Sequence, residues 1–327
     1  MLWLRSALGA ALLLAVFLTG ATAQEKIRVG VLKYGTVNWA LDAMTRNGLD
    51  EENGVDVEIV PFAGEDASNV ALQAGDVDLI VSDWLWVSRQ RAAGADFTFA
   101  PYSTSVGSMM VAGDSAMQTL GDLKGKTIGV AGGPLDKNWL LIQALAKKND
   151  GTDLVSENDV VFGAPPLLMA KAQSGELDAV LNFWHYAARL EAEGFRTLIS
   201  GTDAAIQMGA SGPVAALGWV FRDSFAEKHP KAIRGFLAAD KATKGLLESS
   251  DAEWDIVAPL TKAEDEKTLQ TLRDRYREGI PSRSAAEEEA DARTLYRLLA
   301  GIGGEKLVGP STELAEGTYW PGLADGS

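Results

Sequence analysis

LQAGDVDLIVSDWLWVSRQRAAG, Leu72 to Gly94, returns one hundred positions later as AQSGELDAVLNFWHYAARLEAEG, Ala172 to Gly194. Gln73, Gly75, Asp78, Trp84, Arg89 and Gly94 match Gln173, Gly175, Asp178, Trp184, Arg189 and Gly194 without a gap. Each copy reads as a helix closing on a glycine that can turn left-handed, then a short apolar strand, then a new helix opening at the Trp. That is half of a βαβ crossover, present twice. Upstream, Ile27 to Val31 with Asn38-Trp39 answers Lys126 to Val130 with Asn138-Trp139. The first inference is therefore two similar lobes.

Outward from the repeat, strand-like runs alternate with helical ones. Ile27 to Lys33, Val55 to Pro61 and Val77 to Val81 read as strands of the first set. Lys126 to Val130, Asp159 to Phe162 and Ala179 to Leu181 read as strands of the second. Helical stretches of 10 to 15 residues between strands predict an α/β fold in which each lobe is a mainly parallel sheet flanked by helices. From Ser224 onward the pattern turns helical, with Phe225 to Leu247, Asp251 to Ala258, Lys262 to Arg277 and Ala285 to Ala300 amphipathic. An apolar strand near Val214 to Phe221 returns the chain, so it crosses between lobes twice and forms a two-crossing hinge. The expected division is 1–23 a leader, 24–110 the first lobe, 111–214 the second, and 215–327 the return strand with helices packing on the first lobe.

Met1 to Ala23 carries Arg5, an apolar run from Ala7 to Leu18, and Ala21-Thr22-Ala23 as a small-x-small site, the pattern of a cleaved signal peptide. Its apolar core is shorter than the roughly 20 residues a spanning helix needs. The mature chain is expected to start at Gln24, to be soluble, and to act outside the cytoplasm. The sequence has no cysteine, which removes lipid anchoring, disulfides, thiolate metal sites and cysteine nucleophiles together. A formal net charge of -15 argues against nucleic acid and anionic membranes as partners.

Reaction chemistry has little equipment here. The chain has two histidines and lacks HExxH, GxSxG, GxGxxG and P-loop patterns. Asp83 with His185 is the one acid/base pair that a closed cleft would assemble. The reading is a binding protein with no cofactor and no metal.

The loops expected at the carboxyl ends of the strands, where open α/β sheets bind ligands, are rich in aromatics. They carry Asn38-Trp39, Ser82-Asp83-Trp84, Gly132-Gly133 with Asn138-Trp139, and Asn182-Phe183-Trp184-His185-Tyr186. Four of the nine tryptophans sit there. Such a cleft suits a flat ring between indoles, or an ammonium held by cation–π attraction with Asp83 as acceptor. Asp83 has a competing role as a helix N-cap. The Gly132-Gly133 pair lets backbone N–H groups approach an anion, with Lys33 and Lys137 as nearby counter-charges. The expected ligand-binding set is Asn38, Trp39, Asp83, Trp84, Gly133, Asn138, Trp184, His185 and Tyr186.

LQAGDVDLI, AQSGELDAVLNFWHY, LGDLKGKTIGVAGG and SFAEKHPKAIRGFL together resemble the periplasmic solute-binding proteins of ABC importers. The nearest branch is the nitrate, sulfonate, taurine and thiamine-pyrimidine group, of the SsuA/THI5-like kind. The resemblance implies a two-lobed fold of the second periplasmic-binding type, a small-molecule ligand clamped in the cleft, and delivery to a permease in the inner membrane; a monomer is expected. Relatives taking bare oxyanions are expected to place small hydroxyl residues where this chain has Asp83 and Trp84. The expected solute is thus a nitrogen heterocycle first and a sulfonate second. A periplasmic sensor lobe, or a pyrimidine-related enzyme on the same fold, is the alternative.

Overall fold

A computed structural model describes residues 24–323, so the expected signal peptide lies outside the described residues. The chain opens with β1 (Glu25–Leu32), α1 (Val37–Arg46), α2 (Leu49–Glu52), β2 (Val55–Phe62), α3 (Glu65–Ala74), β3 (Leu79–Ser82), α4 (Trp84–Ala92) and β4 (Phe97–Ser103). It then enters β5 (Ser108–Val111), β6 (Thr127–Ala131), α5 (Lys137–Asp150), β7 (Asp159–Gly163), α6 (Pro165–Gln173), β8 (Ala179–Asn182), α7 (Trp184–Ala192), β9 (Arg196–Ser200) and α8 (Gly201–Gln207). The return is β10 (Leu217–Arg222), followed by α9 (Asp223–Lys228), α10 (Pro230–Ser249), α11 (Asp251–Thr261), α12 (Glu266–Glu278), α13 (Ala285–Gly303) and α14 (Glu305–Val308).

Two five-stranded sheets result, in the orders β2-β1-β3-β10-β4 and β7-β6-β8-β5-β9. Four strands of each run in one direction, three of them adjacent as the crossover spacing requires, and the fifth lies antiparallel to both its neighbours. Those two strands, β5 and β10, are the ones that follow the crossings at 104–107 and 212–216. The repeated glycines behave as the sequence requires. Gly75 and Gly175 end their helices at φ +79° and +78°, a conformation in which a side chain would be strained.

Three boundaries differ from the sequence reading. The expected lobe boundary after residue 110 falls inside β5, because Ser108 to Val111 already pair with β8 and β9 of the second sheet. The helix expected from Phe225 to Leu247 breaks at His229, since the residue before Pro230 is pushed out of the helical region, here to φ -126° and ψ 53°. The helix expected from Lys262 begins only at Glu266. Lys262 ends α11 in a left-handed conformation, and Asp265 caps α12 by accepting the Thr268 N–H.

The C-terminal helices were expected on the first lobe; instead they straddle both. Ile233, Phe236, Trp254 and Leu272 are buried in one core with Ile27, Val29 and Trp219 of the first lobe. Yet α12 packs along α7, and α13 packs against α5, both of the second lobe. The repeated arginines explain part of this. Arg89 donates to the Leu307 carbonyl at the end of α14, and Arg189 donates to the Thr261 carbonyl at the end of α11 at 2.6 Å. Each lobe thus uses the same repeat position to hold the carbonyl end of an added helix, the end where a cation is favoured. Among the described residues, no helix is long and apolar enough to cross a membrane.

Candidate functional site

Helices α1, α4, α5 and α7 all start at the carboxyl ends of strands, and their first turns converge on a cavity of about 580 Å³ between the lobes. The hinge backbone at Ser105 to Gly107 closes one side. Such a volume suits a small organic molecule.

Among the described residues, one ion pair joins the two lobes in this cavity. Lys137 Nζ, from the first residue of α5, donates to Asp83 Oδ2 at 2.8 Å, while Asp83 Oδ1 accepts the Trp86 N–H at 2.7 Å and caps α4. Burial works against ionising Asp83, but the Lys137 ammonium and the Trp86 N–H outweigh it and hold the carboxyl below its usual range. Two further acids line the cavity. Desolvation by the walls and then the Asp83 charge push Glu65 up, and burial pushes Asp136 up despite the N–H groups of Trp139 and Asn138. Arg89 and Lys306 also line it, so charges of both signs face the same space.

At α7 the opposite arrangement holds. Its N-cap is Phe183, which offers no side-chain acceptor, whereas the matching position in α4 is Asp83. The lobes are alike in backbone and unlike in polarity. Beside this uncapped start, burial and then the Arg189 charge lower His185 to about 4, so its imidazole is neutral near pH 7, and among the described residues its Nδ1 has no hydrogen-bond partner.

Of the nine expected residues, the fold brings Asp83, Asn138, Trp184 and His185 to the cavity wall. Asn138 keeps its carboxamide unpaired among the described residues, with Gly201 and Gly107 leaving room for it; a Cβ at 201 would lie 2.3 Å from its Oδ1. Asn38 spends its Nδ2 on the Leu32 and Gly35 carbonyls, both at 2.8 Å, and so builds the β1–α1 turn. Trp39 belongs to the core, not the cleft. It is 4% exposed, donates to the Leu260 carbonyl at 3.2 Å, and packs on Trp184 and Trp254 at 5.8 and 6.1 Å. Trp84 is equally buried, against Tyr296, and borders a space of about 40 Å³ that adjoins the cavity at Val106, Lys137 and Asn138. Gly132 rather than Gly133 lines the cavity, although both have positive φ. Tyr186 stands behind His185, with ring centres 4.5 Å apart.

The pair of indoles expected to sandwich a ring is therefore a single indole, Trp184. Of the two expected lysines, Lys137 enters the cavity, while Lys33 lies over the exposed Tyr34 ring at 5.4 Å. Arg89 and Glu65 were missed. Arg89 was visible as a repeat position, but only the packing of α14 shows which way it faces.

The family model described as NMT1/THI5 like matches residues 45–250, more than half of the chain. No curated protein matches the sequence. Among solved structures, the alkanesulfonate-binding protein SsuA from Xanthomonas axonopodis pv. citri, bound to MOPS, is 19% identical with a TM-score of 0.66, covering 92% of this chain and 99% of that one. The periplasmic aliphatic sulphonate binding protein SsuA from Escherichia coli is 20% identical with a TM-score of 0.70, covering 91% and 98%. The desulfurization enzyme DSZB is 13% identical with a TM-score of 0.57, covering 88% and 97%. These likenesses establish the two-lobed fold.

Proposed function

Because the chain belongs to the NMT1/THI5-like family, we propose that it is the exported solute-binding component of an ABC importer, closing two lobes on a small organic solute and delivering it to a membrane permease. The observation that carries this reading is the Lys137–Asp83 pair, which ties the lobes together inside a solute-sized cavity. Opening the lobes breaks that pair, and a solute that replaces its charges couples binding to closure. The permease then reads the closed shape. The protein acts as a monomer in the periplasm, after removal of residues 1–23.

The cavity is suited to a solute with an oxyanion head and a nitrogen-bearing body. The uncapped start of α7, with Lys137 and Arg89, offers donors to a sulfonate-like head. Glu65 and Asp136 offer acceptors to an amine or ring N–H, and Trp184 offers an apolar face. A second reading, a neutral nitrogen heterocycle, is favoured by the unpaired Asn138 carboxamide and the orphaned His185 Nδ1, which match a ring presenting both donors and acceptors. Asp83, already bonded to Lys137 and Trp86, contributes to neither ligand directly.

Native mass spectrometry of protein purified without denaturation names a retained solute by its mass. Calorimetric titration with taurine, MOPS and an aminopyrimidine then separates the two readings. A ligand recovered chemically unchanged is expected of a carrier; a converted one would assign an enzyme to this fold.

A further inference from the structure

A second cavity, of about 430 Å³, lies behind the first. Ser105, Val106 and Trp184 border both spaces, so the first hinge crossing and one indole form the wall between them. The other walls come from opposite bodies: β5, α7 and the start of α8 belong to the second lobe, while Arg275, Glu278 and Gly279 lie at the end of α12, whose Leu272 and Tyr276 are buried in the first lobe's core.

Its lining differs in kind from that of the cleft. Each charged group is already hydrogen-bonded. Arg275 forks onto Glu191, with Nε to Oε2 at 2.8 Å, and also reaches Glu278, while Asp203 Oδ2 accepts from Ser200 Oγ at 2.7 Å. The hydroxyls are not. Among the described residues, those of Ser105, Ser108 and Thr202 have no hydrogen-bond partner. Free hydroxyls that both donate and accept, an indole wall, and charged groups that are already hydrogen-bonded make a surface for a neutral molecule carrying many hydroxyls. With three acids to one arginine in the lining, an anionic solute would be repelled there.

We infer that this cavity is a second binding site, for a neutral polyhydroxylated molecule of monosaccharide size, stacked on the hinge-side surface of Trp184 and hydrogen-bonded by Ser105, Ser108 and Thr202. Its walls move apart or together as the lobes rotate, so its occupancy is linked to the lobe angle. By reciprocity, a guest there changes the affinity of the cleft by the same factor that cleft binding changes its own.

The test is calorimetric titration of the full mature protein with D-glucose, D-galactose, D-ribose and myo-inositol at millimolar concentration. The expected result is saturable binding of at least one of them, retained in Glu65→Leu, which alters the cleft and leaves the Lys137–Asp83 pair in place, and weakened about tenfold or more in Ser108→Leu and in Thr202→Leu, as loss of a hydrogen bond and of space predicts. Absence of saturable heat with all four in the wild-type protein overturns the inference. So does binding that survives both leucine variants, or that is lost in Glu65→Leu, which assigns the sugar to the cleft and leaves the carrier reading standing.

Discussion

Lys137 Nζ and Asp83 Oδ2 lie 2.8 Å apart, and they belong to different lobes. Each is fixed from its own side: Lys137 is the first residue of α5, and Asp83 caps α4. The side chains are roughly three-quarters buried, at 24% and 28% exposure, so solvent screens the pair less than a surface ion pair. This contact is where closure, electrostatics and helix capping meet.

Asp83→Ala removes both a cap and the partner of Lys137. It should destabilise the protein by about 1–2 kcal/mol from the cap alone. Asp83→Asn keeps an acceptor for the Trp86 N–H and should cost less, while still loosening the lobes. Because the folded carboxyl titrates below its usual range, its contribution is present above the unfolded pKa of about 3.9 and lost as pH falls through the folded value. Denaturant melts at pH 7 and at pH 3 check this: a wild-type advantage over Asp83→Asn of equal size at both pH values would refute it.

Trp184→Ala should weaken solute binding strongly and also lower the melting temperature of the empty protein. The indole packs on Trp39 at 5.8 Å and on Tyr276 at 6.4 Å, so its loss leaves a partial cavity costing about 2 kcal/mol. Trp184→Phe should recover most of the stability. An unchanged melting temperature in Trp184→Ala would show that the indole does not support the core.

Glu288 is fully buried on α13 and accepts the Ala215 N–H at 2.9 Å, at the second hinge crossing. Burial pushes its carboxyl up to about 7, against the opposing effect of that N–H and of Arg283. A raised acid favours the folded state while protonated. Its contribution is complete below the unfolded pKa of about 4.3 and is lost as pH rises through about 7. Glu288→Gln, which keeps the acceptor and cannot ionise, should be more stable than wild type at pH 8 and similar at pH 4. Equal stability of the two proteins at both pH values would sink this account.

Arg189→Lys should fail to replace arginine. The Arg189 guanidinium bonds the Thr261 carbonyl at 2.6 Å and the Lys262 carbonyl at 3.3 Å, a fork that one ammonium cannot reproduce. Loss of about 1–2 kcal/mol is expected for both Arg189→Lys and Arg189→Ala. Hydrogen exchange should rise at the α11–α12 junction in either variant; exchange confined to α7 would place the role of Arg189 elsewhere.

The sequence by itself determined the duplicated architecture. A repeat at a fixed offset, glycines where the backbone must turn left-handed, and strands separated by helical spacing leave few alternatives to two α/β lobes with a cleft at the strand ends. Local chemistry fixed these features, because glycine conformation and hydrophobic period act over a few residues. It also placed Asp83, Asn138, Trp184 and His185 in loops that the fold brings to the cavity.

What the tertiary structure decided is which way each loop residue faces. Trp39 and Trp139 occupy equivalent Asn-Trp helix starts, yet neither lines the cavity, because each indole is drawn into its own core, Trp39 by Trp254 and the Leu260 carbonyl far along the chain. Trp84 and Trp184 match in the repeat, and only Trp184 reaches the cleft, since Tyr296 of α13 packs against the other. The hinge boundary at Ser108 and the bridging of both lobes by α12 and α13 were equally hidden. The rotation of a side chain toward core or cleft is set by partners more than two hundred residues away, and no local pattern carries that information.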